Sequence, residues 1–181
     1  MSAQPAGWFD RVDAFEYRFC VRVNVACERA FVLRLFQSVS RLGDGLLWYV
    51  LAAVLALAGG AAGRTAALQM LVVGGVGLAL YKSLKHRLIR ERPYITHEAI
   101  HAGTHALDRY SFPSGHTLHA VSFTIVAVAH FPVLAILLVP FAVLVAASRV
   151  ILGLHYPTDV GAGAAIGAAL AALVLRMSAG L

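Results

Sequence analysis

Charge is what this sequence has least of: 13% of its 181 residues are Asp, Glu, Lys or Arg, while 60% are hydrophobic and the mean hydropathy is +0.76. Soluble domains carry about 25% charged residues, so an ordinary water-soluble fold is excluded as the default and a membrane protein takes its place. Cysteine is nearly absent. Cys20 and Cys27 are seven residues apart in a segment with helical spacing, about 10 Å along its axis, which is too far for a disulfide, so they say nothing about redox compartment. The first forty residues carry charges throughout and lack the short apolar stretch of a cleavable signal peptide, so the N-terminus is expected to stay on the protein. No long repeat, low-complexity tract or linker marks a second domain. Acid is scarcer than base, 9 residues against 15, for a net charge of +6. In a membrane protein this excess points to anionic headgroups or a phosphorylated substrate rather than nucleic acid.

What is abundant is uncharged length. Asp44 and Arg64 enclose 19 residues without charge, Arg64 and Lys82 another 17, each close to the ~20 apolar residues of a membrane-crossing helix. Gly59–Arg64 is the expected turn between these two spans. From Tyr110 to Ser148 none of 39 residues is charged, and Phe131-Pro132 divides that run into two more. Val160 to Leu175 is a fifth, with Gly161, Gly163 and Gly167 in the small-residue pattern that lets helices approach closely in lipid. Before them, Phe9, Val12, Phe15, Phe19, Val23, Ala26, Ala30 and Leu33 recur at helical spacing, with Arg11, Arg18, Arg22 and Arg29 along another face. The expectation is an all-α, polytopic membrane bundle of about five transmembrane helices (residues 43–181) preceded by an N-terminal amphipathic interfacial helix (1–42). Packing of that helix on the bundle is compatible with this. Ser38–Gly45 joins the two as a turn, with Asp44 read as a turn residue and a place on the rim of a site, which no motif supports, as the alternative.

Five spans bring the end of the second, the start of the third, the end of the fourth and the start of the fifth to one membrane face. Those four ends hold Lys85 and Arg92-Pro93, Ser114-Gly115-His116, Ser148-Arg149, and His155 with Asp159. Ionisable groups at a membrane boundary are costly unless they serve something, so their convergence is a candidate site. Lys85, Arg92 and Arg149 can neutralise a phosphoryl group and the charge on its oxygens in the transition state. His155 can attack phosphorus if neutral, Asp159 four residues on can hold its other ring nitrogen, and His116 can protonate the leaving oxygen.

Lys85-x6-Arg92-Pro93, Pro113-Ser114-Gly115-His116 and Ser148-Arg149-x5-His155-x3-Asp159 resemble, complete and in order, the three signature motifs of the type 2 phosphatidic acid phosphatase (PAP2) superfamily, over roughly Gly43 to Arg176. The apolar spans resemble its membrane lipid-phosphatase branch rather than its soluble members. The resemblance implies His155 as the nucleophile of a phosphohistidine intermediate, Asp159 as its orienter and His116 as acid, with Lys85, Arg92, Ser114, Gly115 and Arg149 binding phosphate. It implies no metal and no cofactor. The implied substrates are lipid phosphates in the bilayer: phosphatidic acid, phosphatidylglycerophosphate or undecaprenyl diphosphate. The family usually has six core helices, against five spans and an N-terminal helix here.

Other residues compete for attention. Lys82, Arg87 and Arg90 fit no motif position and read as headgroup anchors. His119 and His130 read as packed, hydrogen-bonded histidines. His97-Glu98-x-x-His101 has the spacing of a zinc protease motif if helical, and His105 extends the i, i+4 series, so a membrane-bound zinc metalloprotease is a rival reading. The longer form of that motif fails, because Gly103 and His105 fall at the wrong offsets. A non-catalytic lipid-phosphate binder using the same cations is the other rival. Lys and Arg number 13 on the site face and two opposite, which by the positive-inside rule puts the site in the cytoplasm. The resemblance points to the outer face of the cell membrane, and the side stays open.

Overall fold

The computed structural model describes the backbone of residues 8–106 and 108–179 and the side chains of 13–106 and 108–178, so Phe9, Arg11 and Val12 of the N-terminal apolar and basic faces lie outside the described side chains. Among the described residues eight α-helices follow one another: α1 (Trp8–Asn24), α2 (Ala30–Gly43), α3 (Leu46–Ala58), α4 (Gly60–Arg87), the single turn α5 (Pro93–Thr96), α6 (Gly115–His130), α7 (Ala135–Ile151) and α8 (Pro157–Ala179). Among the described residues the only β-type pairing is an isolated bridge between Glu91 and Tyr110.

The apolar periodicity of the first forty residues predicts one helix, but the chain breaks in a 3-10 turn at Val25–Glu28. The reason is tertiary. The buried Asn24 side chain donates to the carbonyls of His101 (3.0 Å) and Ile151 (2.9 Å) and accepts from the His101 N–H (2.9 Å), pinning the chain across the end of α7. Arg29 then turns extended and α2 starts afresh. α1 rests on α7 and α8, and α2 lies against α7 with Val39, Ser40 and Gly43 buried. At Gly45, whose φ of +128° is open to glycine, the chain bends by 48° into α3.

The five expected spans correspond to α3, α4, α6, α7 and α8, but they differ in length. α4, the segment Pro132–Ile151 containing α7, and α8 are each long and apolar enough to cross a membrane, and α2 with α3 makes a fourth if the bent pair is one span. α3 has 13 residues and α6 has 16, about 20 and 24 Å at 1.5 Å per residue. α6 is the central helix, packed by α4, α7 and α8, and it buries Thr117, Ser122 and Thr124 among its apolar residues. Around it the core is built from Trp48, Met70, Val73, Val126 and Val145, with the Trp48 ring against Phe123 and Phe141. The large apolar side chains that remain exposed, such as Leu57, Leu68, Ile136, Leu137 and Val143, stand on the outer faces of α3, α4 and α7. A helical bundle with so apolar an outer surface and several helices long enough to cross a bilayer is a multi-pass membrane protein.

α4 begins four residues before Arg64 and runs beyond Lys82, so Lys85 sits on its last turn, where a cation complements the helix dipole. On α8, a Cβ at Gly163 would stand 2.5 Å from the Ser114 carbonyl oxygen and one at Gly167 2.4 Å from that of Leu118, while at Gly161 it would meet nothing. Two of the three glycines thus let α8 and α6 touch backbone to backbone.

Candidate active site

Each functional side chain owes its place to a local device. Pro93 forces Arg92 into extended backbone (φ −77°, ψ 152°) and opens α5 as its first residue, turning the Arg92 guanidinium back under the bundle. Gly153, in the left-handed region at φ +72°, ends α7, and the Arg149 carbonyl then accepts the N–H groups of Leu154 and His155, both at 3.0 Å. His155 is thereby held in the short connection between α7 and α8. Pro157 opens α8, and Asp159 on its first turn reaches back to accept the Tyr156 N–H at 2.8 Å, one half of a capping box.

Lys85, Arg92, Gly115, His116, Arg149 and His155 line one cavity of about 360 Å3. Ser114 and Asp159 stand behind its wall: the Ser114 hydroxyl pairs with that of Thr117 (3.0 Å) and its N–H donates to the Asp159 carbonyl (3.0 Å). Gly115 leaves room for the Tyr81 ring, which a Cβ would meet at 3.2 Å. The three motif segments therefore meet at one place.

Arg92 Nη1 lies 3.1 Å from His155 Nε2 and donates to the Leu154 carbonyl at 2.9 Å. A guanidinium can only donate, so Nε2 presents its lone pair and the neutral ring carries its proton on Nδ1. Burial, then the charges of Arg149, Arg92, Lys85 and His116, hold the His155 pKa well below 6.5, so the ring is neutral at pH 7. Nδ1 has no hydrogen-bond partner, and the nearest carboxylate oxygen, Asp159 Oδ2, is 3.7 Å away. The i, i+4 spacing therefore brings the two together across the first turn of α8 rather than along a helix, outside hydrogen-bond distance.

Cations and carboxylates are more evenly matched than the motifs suggest. Asp108, absent from the sequence-based site, takes Lys85 Nζ at 2.8 Å with each oxygen and Arg92 Nη2 at 2.7 Å. Burial pushes the Asp108 carboxyl up, but Lys85 and Arg92 outweigh it and hold it below the usual carboxylate range. Asp44, read above as a turn residue, pairs with His116 Nε2. Arg149 Nη1 donates to Ser40 Oγ, while its buried Nε has no partner. One signal could have found Asp108: the chain has only nine acids, and this one stands in the loop between the motif residues Arg92 and Ser114, whereas the turn that holds Asp44 bears no motif residue.

Arg90 overturns the headgroup-anchor reading. It donates to Asp159 Oδ1 (2.8 Å), Thr158 Oγ1 (2.7 Å) and Glu16 Oε2 (2.7 Å) and lies 4.0 Å from the Tyr156 ring centroid. The buried Glu16 also accepts the Thr158 N–H at 2.7 Å, so α1 caps α8 beside the candidate site. Lys82 and Arg87 are exposed on the end of α4. His119 bonds the Gly74 carbonyl (3.2 Å) and stacks on Phe123, and His130 bonds Gln69 (2.7 Å), both as packed histidines.

The zinc-protease geometry does not form. His97 is extended, residues 98–100 turn without forming a helix, and the His97 ring packs against Tyr17 and Tyr156. Among the described residues no three His, Cys, Asp or Glu side chains are grouped to hold a metal.

Comparison with known proteins shows the family and the fold. The family model of the PAP2 superfamily matches residues 65–180. A decaprenylphosphoryl-5-phosphoribose phosphatase of Mycobacterium tuberculosis is 32% identical over 173 residues, covering 88% of this chain and 91% of the relative. Phosphatidylglycerophosphatase B of Bacillus subtilis is 37% identical over 118 residues, 59% of this chain and 55% of the relative. A crystal structure of a transmembrane PAP2 type phosphatidylglycerolphosphate phosphatase from Bacillus subtilis superposes with a TM-score of 0.76 at 27% identity, over 94% of this chain and 88% of that one. Aquifex aeolicus LpxE shares the fold at a TM-score of 0.75 and 24% identity, over 88% of this chain and 93% of its own.

Proposed function

This chain belongs to the PAP2 superfamily, and from that premise we propose that it is a membrane phosphatase releasing phosphate from a lipid through a phosphohistidine at His155. The observation that carries the reading is the Arg92–His155 contact: a neutral imidazole whose Nε2 lone pair is held by Arg92, in the wall of a cavity that Lys85, Arg92 and Arg149 also line.

The phosphoryl group enters among these cations. Arg149 lines the cavity with a buried Nε that has no partner of its own, so a phosphoryl oxygen that displaces the guanidinium slightly gains that donor, and Lys85 and Arg92 share themselves between Asp108 and the phosphoryl oxygens. The first N–H groups of α6, at Gly115 and His116, add helix N-terminal donors, because Ser114 does not cap them with its hydroxyl. Nε2 of His155 attacks phosphorus, His116 gives its proton to the leaving oxygen, and the Asp159 carboxylate offsets the charge that develops on the Nδ1–H side of the ring. Water then attacks the phosphohistidine, returning a proton to His116, and inorganic phosphate leaves. None of this chemistry calls for a metal.

The same cavity continues between α3, α4 and α6 as an apolar arm walled by Trp48, Tyr49, Met70, Leu71, Leu78 and Phe123. It suits a hydrocarbon chain entering from the bilayer. The substrate class is a lipid phosphate in the cell membrane; the name of one relative matches phosphatidylglycerophosphate among the kinds named above, and that of another adds a prenyl lipid whose phosphate is carried on a ribose.

The test is phosphate release from a panel of lipid phosphates by purified protein in detergent, wild type beside His155→Ala. The expected result is loss of release by about 10³-fold or more, inhibition by vanadate, and no effect of EDTA. Full turnover by the variant, or activity lost on chelation and restored by zinc, would overturn the reading.

A further inference from the structure

Gly43-Asp44-Gly45 lies outside all three motifs, yet the fold drives it into the cavity. Gly43 sits so close to α7 that a Cβ there would stand 3.0 Å from Val145 Cγ2, and Gly45 takes the positive φ that reverses the chain. Between them Asp44 points inward and pairs with His116 Nε2 across 72 residues of sequence. Ser40, one helical turn earlier, accepts from Arg149 Nη1. The α2–α3 bend is thus fastened to two residues of the cavity wall.

We propose that Asp44 is a positioning residue for leaving-group protonation, forming with His116 an Asp–His pair that holds the imidazolium and leaves Nδ1 as the nitrogen that serves the leaving oxygen. The inference rests on the reading of His116 as the general acid. A carboxylate can only accept, so Nε2 of His116 carries a proton in every state of the pair. In the first half-reaction the Nδ1 proton moves to the leaving oxygen as its bond to phosphorus breaks and the His155 Nε2–phosphorus bond forms. In the second, Nδ1 takes a proton from water as the new oxygen–phosphorus bond forms and the nitrogen–phosphorus bond breaks. Asp44 stays ionised throughout.

The electrostatics give the pair its purpose. His116 faces Arg149 from α7, Arg92 from the segment before α5, Lys85 from α4 and the imidazole of His155. Asp108 is engaged by Lys85 and Arg92. Asp44 is the carboxylate bonded to His116, and without it a proton on that ring would have the nearby cations and no carboxylate of its own.

The experiment compares kcat/KM, which reports only the steps up to departure of the leaving group, on an alkyl lipid phosphate, whose leaving oxygen needs a proton, and on an alkyl-substituted nitrophenyl phosphate, whose leaving group departs without one. Asp44→Asn, of nearly the same shape, should lower the first by about 10–100-fold and the second at least tenfold less. The alkaline limb of the pH–kcat/KM profile on the alkyl lipid phosphate should move about one unit toward acid, because the acid form of His116 is lost sooner as pH rises. Asp44→Glu should recover part of both effects. Ser40→Ala disturbs the same turn through Arg149, which serves either substrate, so it should lower both rates equally. Equal losses on the two substrates in Asp44→Asn, with an unmoved alkaline limb, would reduce Asp44 to a turn residue and overturn the inference. His116→Asn separates the two ideas: leaving-group dependence there without it in Asp44→Asn sinks only the Asp44 proposal, whereas its absence in both sinks the acid role of His116 as well.

Discussion

Gly163→Ala is the substitution on which the packing argument stands or falls. The added methyl would lie 2.5 Å from the Ser114 carbonyl oxygen, and at Gly167 it would lie 2.4 Å from the Leu118 carbonyl oxygen. Both obstacles are backbone and cannot swing away. Ordinary contact begins near 3.4 Å, so α8 must retreat from α6 by about 1 Å, an overpacking that costs about 1–3 kcal/mol. The start of α6 carries His116, and the Ser114 N–H that would be strained is bonded to the Asp159 carbonyl at 3.0 Å. A 1 Å misplacement of a reacting group costs on the order of 10²-fold in rate, so Gly163→Ala should lose about that much phosphate release and melt earlier. Gly161→Ala is the internal control: nothing lies within 4 Å of its Cβ, and a helical Gly→Ala exchange at an open position stabilises by up to ~1 kcal/mol. The assay is kcat/KM on one lipid phosphate and thermal unfolding, all variants in one detergent. If Gly163→Ala turned over and melted like Gly161→Ala, close α6–α8 contact would not be what positions the site.

Replacing Arg90 by Gln removes its donors to Asp159 and Glu16 and its place over the Tyr156 ring, leaving two buried carboxylates uncompensated. Thermal unfolding should register about 2 kcal/mol or more, with a fall in activity, whereas Arg87→Gln on the exposed end of α4 should do neither. Because burial and the surrounding cations hold His155 well below 6.5, its nucleophilic form persists as pH falls. The acid limb of kcat/KM should therefore lie well below 6.5, and a limb at the ordinary histidine value caused by His155 would refute the neutral-nucleophile argument. His97→Ala and His101→Ala, at positions with no helix to align them, should keep phosphate release within a few-fold of wild type. Dialysis against EDTA should change nothing, and a zinc-restorable loss would contradict this.

Much of this fold was legible because lipid writes itself into sequence as uncharged length. The runs around Leu46–Ala58, Gly60–Arg87 and Pro157–Ala179 all appear as helices. The lengths were less legible, since an uncharged run marks where charge is absent and not where a helix begins: α6 is a 16-residue central helix, shielded by its neighbours, and can be short and carry Thr117, Ser122 and Thr124. The break at Val25–Glu28 was invisible for a different reason, because it is imposed by the contacts of Asn24 with residues 77 and 127 positions away.

The sequence by itself determined which chemical groups are available and in what order along the chain: two histidines, three cations and a carboxylate, in three motifs at the ends of apolar spans. Spacing of that kind is local and periodic, so it survives in one dimension. The tertiary structure alone decided which acid answers which base. It joined Asp108 to Lys85 and Arg92, Asp44 to His116, and Arg90 to Asp159 and Glu16, and it set the Nε2 of His155 against Arg92. It also chose Gly163 and Gly167 over Gly161 as the glycines that face α6. Ion pairs and helix contacts depend on distance through space, which residue numbers do not contain.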